Sequence, residues 1–158
     1  MPEARWLNDQ EARAWRGFQA LSDQLSALLQ QRLSRHTGLS LSDYAVLVHL
    51  SESGTDRMRA YELGAALRWE KSRLSHHLRR MESRGLIERR TCTRDGRGLD
   101  VVLTPEGRKA IEEAAPFHVE DVRSLLIDQL TPQQLEALAE ICEKVLAALP
   151  SGEETCCT

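Results

Sequence analysis

Residues 89–104, RRTCTRDGRGLDVVLT, narrow the fold of this chain more than any other segment. Apolar or β-branched residues flank Asp95-Gly96, and Gly98 follows. Asp-Gly between such flanks is a strong hairpin signal, because the turn needs φ > 0 and glycine supplies it cheaply. The tip carries Arg94 and Arg97, and Arg89 and Arg90 lead into it. A solvated turn and a turn set against an anionic surface both fit this pattern. The rest of the chain decides between them.

The net charge of −3 argues at first against a polyanionic partner. Its distribution argues the other way. From Arg57 to Arg97 twelve Lys and Arg stand against five Asp and Glu, giving +7, so the remainder carries −10. A basic middle between acidic ends points to one anionic partner for one segment. At 158 residues the chain is expected to form one domain, or one domain with appended elements. Hydrophobic residues make up 41% but aromatics only 4%, so the core is expected to be Leu, Ala and Val. No run reaches the length of a membrane span, and the opening MPEARWLNDQEARAW lacks a signal-peptide core. A soluble, cytoplasmic chain with no membrane partner is expected. Cys92, Cys142, Cys156 and Cys157 show no CxxC or zinc-ribbon spacing, which fits a reducing compartment.

Hydrophobic spacing predicts a long first helix over 11–35, with Trp15, Phe18, Ser22, Leu25, Leu28, Leu29 and Leu33 along one stripe. Ser40 with Asp43 three residues on resembles a capping box opening a helix over 41–52. An extended piece at Arg57 to Arg59 is placed to pair with the hairpin. AYELGAAL reads as a short helix and 70–84 as a second, ending at Gly85. Thr104-Pro105 starts the next helix, which Pro116 is expected to interrupt or kink. Thr131-Pro132 with Gln134 starts the last, running to about Leu149, and SGEETCCT is expected to fray. The order is mainly α with a small β-wing: a winged helix-turn-helix over 38–104, flanked by helices at 1–37 and 105–150, with a tail at 151–158.

Within 70–84, Leu74, Leu78 and Met81 share one face and are expected to pack with Leu63 and Leu67. The opposite face holds Ser72, Ser75, His76, Arg79 and Ser83, flanked by Arg73 and Arg80, and has no carboxylate. Short hydroxyls let a helix approach phosphates and base edges, while Arg and His donate into the major groove. An ordinary solvated face mixes both signs. The hairpin beside it would reach a neighbouring minor groove, with Arg97 inserted and Asp95 holding its guanidinium. Double-stranded DNA is the partner this pattern favours.

DGRGLDVVLTPEG, ELGAAL and LSHHLRRMESRGLIER, with their spacing, resemble the MarR family of bacterial transcription regulators, from about Trp15 to Leu149. The resemblance implies a homodimer joined through the first and last two helices. It also implies a pseudo-palindromic operator, repression as the default, and release by a small ligand. By position it places Lys71, Ser72, Arg73, Ser75, His76 and Arg79 at the major groove, with Asp95 and Arg97 at the wing tip. The chain departs from the pattern at Glu70, where Ser or Pro is frequent, and at the pair His76-His77. The wide stripe Leu135, Leu138, Ile141, Cys142, Val145, Leu146 and Leu149 fits burial against a second copy.

The resemblance also suggests an effector pocket for a small aromatic or phenolic anion, with Trp15, Phe18, Tyr44 and His118 as lining candidates. Aromatics at helical spacing are as readily core, so both readings stand. Cys92, between Arg90 and Arg94, is a candidate redox thiol, though a small strand residue is the simpler reading. Cys156-Cys157 offers a metal or redox role against that of a mobile tail. No metal site or cofactor is expected. No Gly-rich phosphate loop, GxSxG or HExxH occurs, so an enzyme is not expected. A winged helix serving as a protein-interaction module is the alternative from another class, and it leaves the uniform cationic face unexplained.

Overall fold

Polar side chains set where the long helices begin. In the computed structural model, which describes residues 4–91 and 98–150, Asn8 and Glu11 form a capping box at the start of α1 (Asp9–Thr37). Gly38, at φ 71°, ends that helix in the left-handed region that glycine enters without strain. Ser40 and Asp43 close the expected box on α2 (Leu41–Glu52). Then come β1 (Arg57–Arg59), α3 (Ala60–Leu67), α4 (Lys71–Ser83), β2 (Ile87–Thr91) and β3 (Leu99–Leu103). Thr104 caps α5 (Pro105–Leu125), with Pro at the first helical position. A short 3-10 turn (Ile127–Gln129) leads to α6 (Pro132–Ala148), opened by the Thr131/Gln134 box. The sequence order of elements is therefore found as read, with one correction. Pro116 does not interrupt its helix: α5 runs through it unbroken to Leu125. Proline removes one amide donor, but the helix is long enough on both sides to continue across the loss.

The three strands form an antiparallel sheet in the order β1-β3-β2. Met58 faces Val101 across β1 and β3, and Ile87 faces Leu103 across β2 and β3. The extended piece at Arg57 to Arg59 thus pairs with the hairpin as expected. Alternation along β3 sends Val101 and Leu103 inward. They meet Val46, Leu47 and Leu50 of α2, Leu63 of α3, Leu74, Leu78 and Met81 of α4, and Ile111 and Ala114 of α5 in one core. Leu67 is partly buried against it. Each fully buried Leu or Val contributes about 1.5–3 kcal/mol relative to exposure, so this cluster dominates the stability of the winged-helix unit.

Helices α1 and α6 contribute little to that core, which takes only Leu33 from α1 and nothing from α6. Over 29 residues α1 buries only Leu33, and α6 buries none. The C-terminal part of α1 is fastened to α5 by Arg32 on Asp121 at 2.8 Å and by the His36 ring stacked on Phe117 at 5.1 Å. Gln30 Oε1 accepts from the Leu41 amide, tying α1 to the start of α2. Among the described residues no helix is long and apolar enough to cross a membrane.

Candidate DNA-binding surface

The helix-turn-helix closes through an uncommon backbone. Arg68 lies in the left-handed region (φ 53°, ψ 41°), which a non-glycine residue enters at a cost. Its amide donates to the carbonyl of Ala65, and the Trp69 amide to that of Gly64, which stops α3 and turns the chain into α4. Glu70 stands at the N-cap of α4 but makes no side-chain hydrogen bond there. The first-turn amides of the helix therefore have no side-chain cap and keep their partial positive charge facing outward.

The amphipathic reading of α4 holds. Leu74, Leu78 and Met81 are buried, whereas Lys71, Ser72, Arg73, His76, Arg79 and Ser83 are exposed and Ser75 is half-buried. Their charges are not neutralised. Among the described residues no carboxylate lies within ion-pair distance of Lys71, Arg79 or Arg80. The Arg73 guanidinium is 4.4 Å from the centroid of the Trp69 ring, which holds it without removing its charge.

Several other cations of the basic segment are matched inside the protein. Glu82 accepts from Nε and Nη2 of Arg89, at 2.9 and 2.6 Å, and from the Arg89 amide. Those bonds hold the Glu82 carboxyl below the usual carboxylate range. Arg90 pairs with Glu88 at 2.6 Å, and Asp100 sits 3.3 Å from Arg59. Arg89 and Arg90, which lead into the hairpin, are thus structural ties to α4 and within β2, whereas Lys71, Arg79 and Arg80 of α4 have no such tie among the described residues. Asp95 and Arg97, the wing-tip candidates, lie outside the described residues, as do Arg94, Cys92, Cys156 and Cys157.

Behind the exposed cationic face of α4 lies a polar cluster whose connection the sequence did not reveal. Asp43, buried at the third position of α2, accepts from Arg84 at 2.7 Å and from the Ser40 amide at 2.9 Å. His77 Nε2 is 3.0 Å from its other oxygen, in close polar contact without aligned hydrogen-bond geometry. Burial pushes the Asp43 carboxyl up, but the Ser40 and Arg84 bonds outweigh it and leave the group below its usual range. Burial pushes His77 down, more than Asp43 draws it up. The Ser40/Asp43 spacing was legible as a capping box. Nothing in spacing links that box to His77 or Arg84.

The candidate effector residues form two separate pairs. Tyr44 meets His118 with ring centroids 4.4 Å apart, where burial raises the phenol and lowers the imidazole. His118 Nδ1 is buried without a hydrogen-bond partner among the described residues. Trp15 stacks on Phe18 at 6.0 Å, and both are more than half exposed. From Phe18 to Arg32, where α1 meets α5, is about 20 Å of helix. One chain alone does not bring the four together. A separate open cavity of about 330 Å³ lies between α1 and α5, lined by His36, Thr37, Ala110, Glu113 and Phe117.

This arrangement matches proteins already characterised structurally. A MarR family model matches residues 37–98, the stretch from the end of α1 to the wing. The chain is 40% identical to AbsC, a MarR family transcriptional regulator from Streptomyces coelicolor, covering 92% of this chain and 97% of that one with a TM-score of 0.88. It is 37% identical to Sco3205, a MarR family transcriptional regulator of the same organism solved in complex with DNA, covering 97% and 96% with a TM-score of 0.91. A probable transcriptional regulator from Pseudomonas aeruginosa is similar at 27% identity, over 87% and 97%, with a TM-score of 0.73. No curated protein sequence matches the chain. With a cationic recognition helix in a winged helix-turn-helix, and near-complete coverage of two regulators at 37–40% identity, the chain belongs to the MarR family of transcriptional regulators.

Proposed function

We propose that the protein is a sequence-specific regulator that binds a pseudo-palindromic operator as a homodimer, represses from it, and leaves it when a small aromatic ligand binds. The observation that carries the DNA reading is the outer face of α4: Lys71, Arg79 and Arg80 beside Arg73, with Ser72, Ser75 and His76 between them and, among the described residues, no carboxylate paired with Lys71, Arg79 or Arg80. Sco3205, solved with DNA, supports the same reading. Ser72, Ser75, His76 and Arg79 read base edges. Lys71 and Arg73 flank them and meet phosphates. Arg97, with Asp95 beside it, enters the minor groove.

The homodimer is supported by the apolar residues left bare on the outer helices. Ile141, Val145, Leu146 and Leu149 of the C-terminal stripe are 49–60% exposed, and Trp15, Phe18, Leu21 and Leu28 of α1 are 41–61% exposed. The effector site is centred on Tyr44 and His118, whose rings meet at 4.4 Å and whose imidazole Nδ1 is buried without a hydrogen-bond partner among the described residues. Trp15 and Phe18 reach such a site only from a second copy.

The test is selection of duplexes from a random pool, followed by binding assays at several salt concentrations. The proposal expects an inverted repeat to emerge. It expects Arg79→Ala and Arg97→Ala each to weaken binding to it by about 1–3 kcal/mol with the fold intact. Binding of equal strength to all sequences refutes it and favours the protein-interaction module.

A further inference from the structure

We propose that Asp43 is a positioning residue for DNA recognition: its one buried carboxylate holds α4 at His77 and at Arg84, and through Arg84 fastens the recognition helix to the end of α1. The proposal rests on α4 being the reading helix. Asp43 Oδ1 is 3.0 Å from His77 at mid-helix, and Oδ2 is 2.7 Å from Nη1 of Arg84 at the helix C-cap. The two holds are two helical turns apart, about 10 Å. A hydrogen-bonded ion pair at the C-cap and a close polar contact at mid-helix together restrict the tilt of α4 and its rotation about its own axis. Arg84 Nη2 also donates to the carbonyl of Gly38, at 3.1 Å, the residue that terminates α1. The orientation of α4 is thereby referred to the outer helix as well as to its own core. On the far side the Trp69 ring stands edge-on to His77 at 5.2 Å and carries Arg73 on its face, so the grip extends to a cation of the reading surface.

Capping α2 does not require this arrangement. Ser40 and the carbonyl end of a neutral Asn at position 43 suffice for the box. The apolar residues of α4 fix its burial but not its fine rotation, because packed aliphatic side chains tolerate small adjustments while binding constellations need about 0.5 Å and 10–20°. A charged carboxylate shared between a mid-helix ring and a C-cap guanidinium supplies the missing constraint. It acts on where the two recognition helices of a dimer sit relative to each other, because α1 belongs to the outer part.

The experiment uses the full chain, the duplex it enriches from a random pool, versions of that duplex with the half-sites moved one or two base pairs closer or farther, and a scrambled duplex of equal length. Variants are Asp43→Asn, Arg84→Ala and, as a stability control, Ser40→Ala. Arg84 is exposed enough for its variant to fold if Asp43→Asn does not. Wild type should discriminate sharply between spacings. Asp43→Asn and Arg84→Ala should lose about tenfold or more on the enriched duplex, keep binding to the scrambled one within about twofold, and discriminate spacings weakly. Ser40→Ala should melt lower yet keep the wild-type spacing preference. If Asp43→Asn and Arg84→Ala keep wild-type spacing preference, or lose specific and non-specific binding in step with their melting temperature, the proposal fails alone. If wild type enriches no sequence, the DNA reading fails and takes the proposal with it.

Discussion

The guanidinium of Arg73 lies 4.4 Å from the centroid of the Trp69 ring, one turn back along the chain, on a helix whose other outward cations have no ion-pair partner among the described residues. An arginine restrained on an aromatic face loses less side-chain freedom when it meets a phosphate than one free in solvent. Arg73→Ala should therefore weaken binding uniformly across sequences and lower the slope of log affinity against log salt by about 1, with little change in melting temperature. Titrations at several salt concentrations decide it. An unchanged slope means that Arg73 does not reach the DNA.

Gly107 sits at the third position of α5, where its amide donates to Thr104 Oγ1 at 3.0 Å. Added as a Cβ, any side chain there would overlap the carbonyl oxygen of Leu86, in the backbone rather than a flexible side chain. Thr104 itself donates to the carbonyl of Gly85, so the start of α5 and the base of β2 are locked together. Gly107→Ala must push them apart and should cost about 1–3 kcal/mol in urea unfolding. A loss under about 0.5 kcal/mol, the usual scale of an unremarkable surface change, would show that the junction yields easily.

At Arg68 the expectation runs the other way. Its left-handed backbone costs about 1 kcal/mol that glycine would not incur, against a gain of about 0.4–1 kcal/mol in unfolded-chain entropy on replacement. Arg68→Gly should leave stability unchanged or slightly raised, whereas Arg68→Val, β-branched and less tolerant of φ > 0, should lower it clearly. Thermal melts of the pair provide the comparison. A glycine variant that melts well below wild type would mean the arginine side chain stabilises the turn.

Acid should destabilise the fold in two windows. His77 and His118 are harder to protonate when folded than the ordinary 6.5, chiefly because burial disfavours the cation. Their folded pKa values lie below the unfolded one, so this stability is complete above pH 6.5 and declines as pH falls from there toward the folded values. Asp43 is held below its ordinary 3.8, so its contribution is complete above that pH and is lost as pH falls through the lowered value. Melting temperatures should fall from about pH 6.5 downward and again below about pH 4. His77→Gln should flatten part of the first decline, and a wild-type melting temperature constant from pH 7.5 to 5 would contradict the assignment.

Local chemistry made most of the architecture readable. Ser40, Thr104 and Thr131 announced helix starts, Gly85 an end, and the 3.6-residue spacing of Leu74, Leu78 and Met81 the buried side of α4. These signals act within a few residues of each other. Of the two effects expected of Pro116, an interruption is ruled out, because α5 continues through it from Pro105 to Leu125. The pairing of Arg89 with Glu82 and the gathering of His77 and Arg84 on Asp43 arise from tertiary approach, which no spacing records. Trp15 and Phe18 share a stripe with Leu25 and Leu33, but that stripe meets the core only near its C-terminal end. The sequence shows the stripe and not where along it the contact falls.

That unpartnered length of stripe leads to the last prediction. Ile141, Val145, Leu146 and Leu149 are 49–60% exposed in the single chain, and α6 buries nothing. Trp15, Phe18 and Leu21 on α1 add a second apolar stretch. Water around such surfaces disfavours leaving them bare, at roughly 25 cal/mol per Å², and a second copy presents the same stretches in self-complementary order. Sedimentation at micromolar concentration should give about twice the 17.9 kDa chain mass. A charge placed in the stripe must be desolvated or must break the contact, so Ile141→Asp with Val145→Asp should give monomers. Those monomers should keep the winged-helix core, which contains neither residue. They should also lose most of their preference for an inverted repeat over a single half-site, because two reading helices no longer arrive together. A double variant that sediments as a dimer places the interface elsewhere. A monomeric wild type that still prefers the full repeat would remove the outer helices from the account of recognition.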